Sequence, residues 1–334
     1  MMRLPPFTYL APRTVGDALK YLGDAGPEAM LVAGGTDLYP NMKRRQFEPK
    51  TLVGLRGVRE LRGVRGSERD GISLGSGTTL SAVAAHPTVA QHYPALATAA
   101  GLVSSPQLRN MGTIGGNVCV DTRCNYYNQS YAWRKAIGFC MKKDGDICLV
   151  APGSPRCWAV SSSDTAPVLW SLGARVRLVG PDGERAVPMS ALYRDDGIEY
   201  LAKRPDEIVI EITLPPADGW RSAYVKLRRR GSFDFPVLGV AVAARVEGDV
   251  VREARIVLGA VASLPREAAQ AAAALRGERL TRETITRVAD LAARPSKPLD
   301  NTDFSHPYRK NVTRAFVARA LRRLAGLPDD EAPT

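Results

Sequence analysis

Long uninterrupted hydrophobic runs are missing from this sequence of 334 residues. None approaches the ~18 to 20 apolar residues that cross a bilayer. The opening MMRLPPFTYL carries a proline pair where a secretory leader needs its apolar centre, so a cytoplasmic protein with no membrane partner is expected. Histidine is scarce. His86, His92 and His306 stand in no ligand or triad spacing, and no Ser-His-Asp or paired-carboxylate arrangement stands out. GxGxxG opening a long helix and GxxxxGK[ST] are both absent, which leaves the Rossmann and Walker arrangements, and NAD, without support. Internal repeats and low-complexity stretches are absent too.

The net charge of +12 would suit nucleic acid, but the cations fall in short groups such as Met42 to Arg45 and Leu227 to Gly231. No long basic stripe interleaved with aromatics runs along the chain. Solvated surface, or contact with acidic protein partners, accounts better for the charge.

Cysteine is confined. Five occur, all between Cys119 and Cys157, and none of the residues after Cys157 is one. In a reducing compartment a clustered set is metal-binding or catalytic more often than disulfide-forming.

The ordinary parts of the chain read as an α+β protein. A helix is expected where Val15, Ala18, Leu19 and Leu22 recur behind a Thr14 cap, and a strand over Ala29 to Ala33. AGGTDL follows that strand directly. Gly34 and Gly35 would expose backbone N–H groups to a phosphate with no Cβ in the way, and Thr36 adds a hydroxyl. A tight turn explains the same glycines. A second glycine-rich stretch, RNMGTIGGN, spans Arg109 to Asn117. Leu80 to Ala100 reads as helical, with HPTVAQHYPAL as a loop and a second helix start. DTAPVLWSLGARVRLVG reads as helix then strand, with Asp164 as a helix N-cap, and PDG as a turn. Beyond Pro215-Pro216 the pattern changes to two β-rich runs about a turn at Glu247 to Asp249, then helices starting near Pro265, Thr281 and Lys310. The domain boundary is expected at 216–222.

The ordered set PFTYLAPRTVGDALKYL, MLVAGGTDLYPNMK, SSPQLRNMGTIGGNVC, SDTAPVLWSLGA and YVKLRRRGSFDFPVLGVAVA resembles the FAD-binding medium subunit of molybdenum hydroxylases, the xanthine dehydrogenase and carbon monoxide dehydrogenase family. YRK at Tyr308 to Lys310 matches the family's ending. The resemblance covers essentially the whole chain. It implies a FAD-binding domain of the vanillyl-alcohol oxidase (PCMH) type in two subdomains over 1–218, and a small C-terminal αβ-domain of the CO dehydrogenase flavoprotein type over 219–334. It also implies that Leu31, Val32, Ala33, Gly34, Gly35, Thr36, Asp37 and Leu38 hold the pyrophosphate. Thr113, Ile114, Gly115, Gly116 and Asn117 would form the second FAD loop, with Arg109 and Asn125 added to the cofactor-binding set. Asp164 would bond the ribityl or ribose portion, and Lys226 would reach the flavin from the domain junction. A strand-edge charge is the other reading of Lys226.

Ordinary members pass quickly from GGN to the aspartate motif, whereas here a cysteine-bearing insertion at about 119–160 intervenes. With DTRCNYYNQS, a Trp-Arg pair, GFC, DGDIC and PRC it resembles 4-hydroxybenzoyl-CoA reductase, whose flavoprotein subunit carries an additional 4Fe-4S cluster. The spacing of Cys124, Cys140, Cys148 and Cys157 is C-x(15)-C-x(7)-C-x(8)-C, four thiolates, the number a cubane takes. Zinc also accepts four thiolates, but the close C-x(2 to 4)-C pairs of its structural sites are missing. Unrelated buried thiols are the third reading. Lys135, Lys142, Lys143 and Arg156 would offset the charge of a thiolate-held cluster. Cys119 is left without a role.

The function the resemblance implies is electron transfer in a molybdenum enzyme. A low-potential donor such as ferredoxin would feed 4Fe-4S and FAD, towards a 2Fe-2S small subunit and a molybdopterin-containing large subunit, in a dimer of heterotrimers, a heterohexamer. The large subunit would reductively dehydroxylate an aromatic acyl-CoA. A xanthine dehydrogenase-like hydroxylase subunit with another substrate is one alternative. A zinc-stabilised basic nucleic-acid-binding protein is an alternative of another class.

Overall fold

The computed structural model describes residues 3–328. Three sheets with surrounding helices follow one another along the chain. The first is parallel, with β1 (Thr8–Leu10) and β2 (Ala29–Val32) flanking β3 (Thr51–Gly54). Crossing from β1 to β2 is α1 (Val15–Ala25), capped by Thr14 accepting from Asp17 N at 3.0 Å and ended by Gly26 at φ +59°. Its apolar stripe buries Ala18 and Leu22 against Val53. After β2 the glycine loop leads into α2 (Leu38–Lys43).

The second sheet joins β4 (Val64–Ser67) and β5 (Gly71–Gly75) to three later strands, β6 (Arg175–Gly180), β7 (Gly183–Pro188) and β8 (Ile208–Leu214), in the antiparallel order β4-β5-β8-β6-β7. Between β5 and β6 lie α3 (Leu80–Ala85), α4 (Pro87–His92), α5 (Pro94–Leu102), α6 (Pro106–Arg109), α7 (Ile114–Val118), α8 (Tyr131–Ala136) and α9 (Thr165–Ser171). Within HPTVAQHYPAL, expected to supply a loop and a second helix start, α4 occupies Pro87–His92 and α5 starts at Pro94. Pro87 and Pro94 each occupy a first turn, where the missing N–H is unneeded and the fixed φ suits a helix.

The third sheet is antiparallel, ordered β12-β11-β10-β9, with β9 (Trp220–Leu227), β10 (Leu238–Glu247), β11 (Val250–Gly259) and β12 (Arg266–Glu267). Gly248 at φ +63° makes the turn between β10 and β11. Helices α10 (Ala269–Ala273), α11 (Arg282–Ala293) and α12 (His306–Ala325) complete the chain. The first starts four residues after Pro265 because β12 intervenes, and α12 starts at His306, ahead of the expected Lys310.

β10 is buried on both faces. Val240, Val242 and Ala244 share a core with Ile285, Val288, Val317 and Leu321 of the C-terminal helices. Ala241 and Ala243, pointing the other way, join the core of the second sheet with Leu96, Ala99, Val168 and Leu169. Among the described residues no helix is long and apolar enough to cross a membrane.

Candidate functional site

Two glycine loops meet at the start of α2. A Cβ on Gly34 would lie 2.0 Å from the carbonyl oxygen of Met111, and one on Gly35, at φ +71°, would lie 2.2 Å from the Tyr39 ring. Only glycine lets the first loop approach the second so closely. Among the described residues the N–H groups of Gly34, Gly35, Thr36 and Asp37 donate to no main-chain oxygen. A run of free, partly exposed N–H groups is a cradle for an anion such as a pyrophosphate.

The second loop is pinned by main-chain bonds: Leu80 N to Gly112 O at 2.9 Å, Ile114 N to Thr78 O at 2.9 Å and Gly115 N to Ser76 O at 2.8 Å. Thr113 caps α7 by accepting from Gly116 N at 3.0 Å. Asn117, one turn on, accepts through Oδ1 from Ser163 Oγ at 2.8 Å, Thr165 Oγ1 at 2.6 Å and Thr165 N at 3.2 Å. The second glycine loop is thereby tied to the SSSDT segment across the insertion. Arg109 donates to Val103 O at 2.8 Å.

Asp164 is buried at the head of α9, but its side chain does not cap that helix. Ser163 Oγ takes the role, accepting from Ala166 N at 3.0 Å. Asp164 instead accepts from Tyr224 Oη and Lys226 Nζ, both at 2.8 Å and both from β9. Lys226 also donates to Leu102 O at 3.0 Å. It stands on an edge strand, as the strand-edge reading has it, and its side chain is as buried as the carboxylate it meets. Burial pushes Asp164 up and Lys226 down, and their mutual attraction opposes both shifts.

The insertion leaves and returns through a narrow neck, where Arg123 and Val160 exchange main-chain bonds at 2.9 and 2.8 Å. Just inside it, Cys124, Cys140, Cys148 and Cys157 line one small cavity with Tyr126, Tyr127, Met141 and Lys142. All four thiols are free and buried. Burial, opposed by main-chain N–H groups, pushes Cys124 up to about 12 and Cys157 up to about 11. Among the described residues no three His, Cys, Asp or Glu side chains converge as a site for a metal ion. The donor chemistry of four thiols about one cavity nevertheless suits a group that takes one thiolate per iron.

Of the cations expected around the thiols, Lys142 lines their cavity and its charge draws Cys157 down against burial, while its ammonium donates to Asp121 Oδ1 at 2.8 Å, Thr122 Oγ1 at 2.7 Å and Gly197 O at 2.6 Å. Arg156 pairs with Asp195 at 3.1 Å and stacks on Trp158, Lys143 pairs with Asp144, and Lys135 is exposed. Asn125 is exposed and bonds through its backbone N to Asn301 O at 2.8 Å. Cys119 lies outside the thiol cavity, at the end of α7, with its thiol pushed up to about 11 by burial.

Residues 5–217 match the family described as the FAD binding domain in molybdopterin dehydrogenase, and residues 222–324 the CO dehydrogenase flavoprotein C-terminal domain. The chain belongs to the FAD-binding subunits of the molybdenum hydroxylase family. It is 31% identical to the carbon monoxide dehydrogenase medium chain of Hydrogenophaga pseudoflava over 95% of this chain and 96% of that one. It is 32% identical to the aldehyde oxidoreductase FAD-binding subunit PaoB of Escherichia coli over 72% of this chain and 76% of that one. The solved carbon monoxide dehydrogenase from Hydrogenophaga pseudoflava superposes with a TM-score of 0.80 at 30% identity, covering 97% of this chain and 99% of that one. The chain is thus an oxidoreductase subunit whose first two sheets form the FAD-binding domain and whose third forms the flavoprotein C-terminal domain.

Within this flavoprotein fold, sequence reading misses Arg123. The motif DTRC contains it, but nothing in the sequence shows that its guanidinium reaches back to Asp37 of the first glycine loop and to Asn41 at 3.2 Å, with Phe235 stacked at 4.4 Å. Tyr224 and Ser163 escape it likewise, since their partners are remote or need the exact helix start.

Proposed function

We propose that this chain is the electron-transferring FAD and 4Fe-4S subunit of a molybdenum enzyme resembling 4-hydroxybenzoyl-CoA reductase. It would stand between a low-potential donor such as ferredoxin and the 2Fe-2S and molybdopterin-containing subunits of a dimer of heterotrimers. The observation that carries the reading is the set of four free, buried thiols lining one cavity in the insertion, whose neck residue Arg123 bonds Asp37 in the glycine loop. When bound, the flavin and the cluster would supply one- and two-electron exchange. The protein's own part is positional. The N–H groups of residues 34–37 would receive the pyrophosphate, α7 and Asn117 would hold the second loop in register, and Asp164 with Lys226 would present a polar wall at the domain seam.

The test is chemical and optical. Anaerobically purified protein is expected to hold about four irons and four sulfides per chain with one FAD, and its absorption spectrum is expected to bleach with dithionite. Full FAD with zinc at one per chain and neither iron nor sulfide would sink the cluster assignment.

A second reading keeps FAD and changes the substrate, and the names of the relatives, carbon monoxide and aldehyde enzymes among them, favour it. Turnover of the whole complex with 4-hydroxybenzoyl-CoA, set against xanthine and an aldehyde, separates the two.

A further inference from the structure

The helix that follows the first glycine loop is gripped at both ends by the thiol-bearing insertion. At its start Arg123 bonds Asp37 and Asn41. At its end Arg134 Nη2 donates to the carbonyls of Arg44 and Arg45 at 3.0 and 3.1 Å, and Gln46 Nε2 donates to Tyr127 O at 2.6 Å. Arg123, Arg134 and Gln46 are 7%, 1% and 2% exposed, so each bond, if lost, strands a buried polar group. The apolar core within the insertion is small. It consists of Cys124, Tyr127, Cys140, Cys157 and Ala159, three of them the thiols themselves.

We propose that the insertion is a clasp: metal bound by its four thiols orders residues 123–134, and Arg123, Arg134 and Gln46 pass that order to the glycine loop, so that metal and FAD bind with positive coupling. This rests on the reading of the preceding section. Coupling of this kind is reciprocal, so FAD would in turn tighten the hold on the metal. Arg123, Arg134 and Gln46 are positioning residues, since they act on the flavin loop through α2.

The experiment titrates FAD, followed by its fluorescence, into the full chain purified anaerobically without iron and into the same protein reconstituted with ferrous iron and sulfide. FAD is expected to bind about tenfold more tightly after reconstitution. Arg134→Met should bring the ratio near one, and Arg134→Lys, which keeps a donor for the two carbonyls, should preserve it. Gln46→Met deletes one bond and also a buried oxygen without a partner; it should lower the ratio while folding normally, so the test holds even where Arg134→Met does not fold. Equal FAD affinity in empty and reconstituted protein that binds both ligands overturns the coupling. A chain that takes up no FAD, or no iron, overturns the reading on which the coupling rests, and the coupling with it.

Discussion

Lys226 Nζ lies 2.8 Å from Asp164 Oδ2, and the pair spans the seam between the FAD-binding domain and the C-terminal domain with both side chains out of solvent. Breaking such a pair from one side leaves an uncompensated buried charge. Lys226→Met is therefore expected to destabilise the protein by about 3 to 5 kcal/mol. Adding Asp164→Asn to it should recover part of the loss. Urea unfolding of the two single variants and the double variant measures this, and additive losses would show that the pair is not coupled.

The two glycine loops supply a sharper contrast. Gly34→Ala would force a Cβ to within 2.0 Å of a main-chain oxygen on the opposite loop. It is expected to cost about 1 to 3 kcal/mol of stability and to lower FAD content in the purified protein. Gly23→Ala, exposed within α1 with nothing near its added methyl, should stabilise by about 0.5 to 1 kcal/mol. Thermal melts and flavin absorbance of both variants read the difference.

Thiol identity can be tested one residue at a time. Serine at Cys124, Cys140, Cys148 or Cys157 is expected to reduce iron and sulfide per chain, whereas Cys119→Ser should leave both unchanged, because Cys119 stands apart from the cavity. In the metal-free folded chain Cys124 and Cys157 should react slowly with a thiol reagent at pH 7 to 8, since burial holds them protonated. Denaturant should release that reactivity.

A pH effect follows from Glu207, held down to about 2 by hydrogen bonds from Arg185 at 2.6 and 2.8 Å and from the Arg204 N–H. Its folded value lies below the ordinary 4.5, so its contribution is complete above about pH 4.5 and declines as pH falls towards 2. The melting temperature of the native protein should fall more steeply across that window than that of Glu207→Gln.

Local features are legible from sequence because their causes are local. Thr14, the GP break at Gly26 and the glycine that turns β10 into β11 act within a few residues. The ordered motifs point to the flavoprotein family, which the comparisons show. Relationships made by long closure are not legible. Asp164 has a cap's spacing, yet Tyr224 and Lys226 approach it from β9, while Ser163 supplies the cap. Lys142 stands beside the thiols as a counter-charge should, but the sequence does not show that Asp121, Thr122 and Gly197 fix it there. HPTVAQHYPAL reads as part loop only while Pro87 and Pro94 are taken as breaks rather than as first-turn residues.

β10 has no solvent-facing side over most of its length. Because alternate residues of one strand complete the hydrophobic cores of both domains, neither domain can be cut away without exposing apolar surface on the other. Limited proteolysis should therefore yield no soluble C-terminal fragment, and heat should melt the chain in one transition. A chimera that exchanged the C-terminal domain between relatives would have to carry the matching face of α5 and α9 with it.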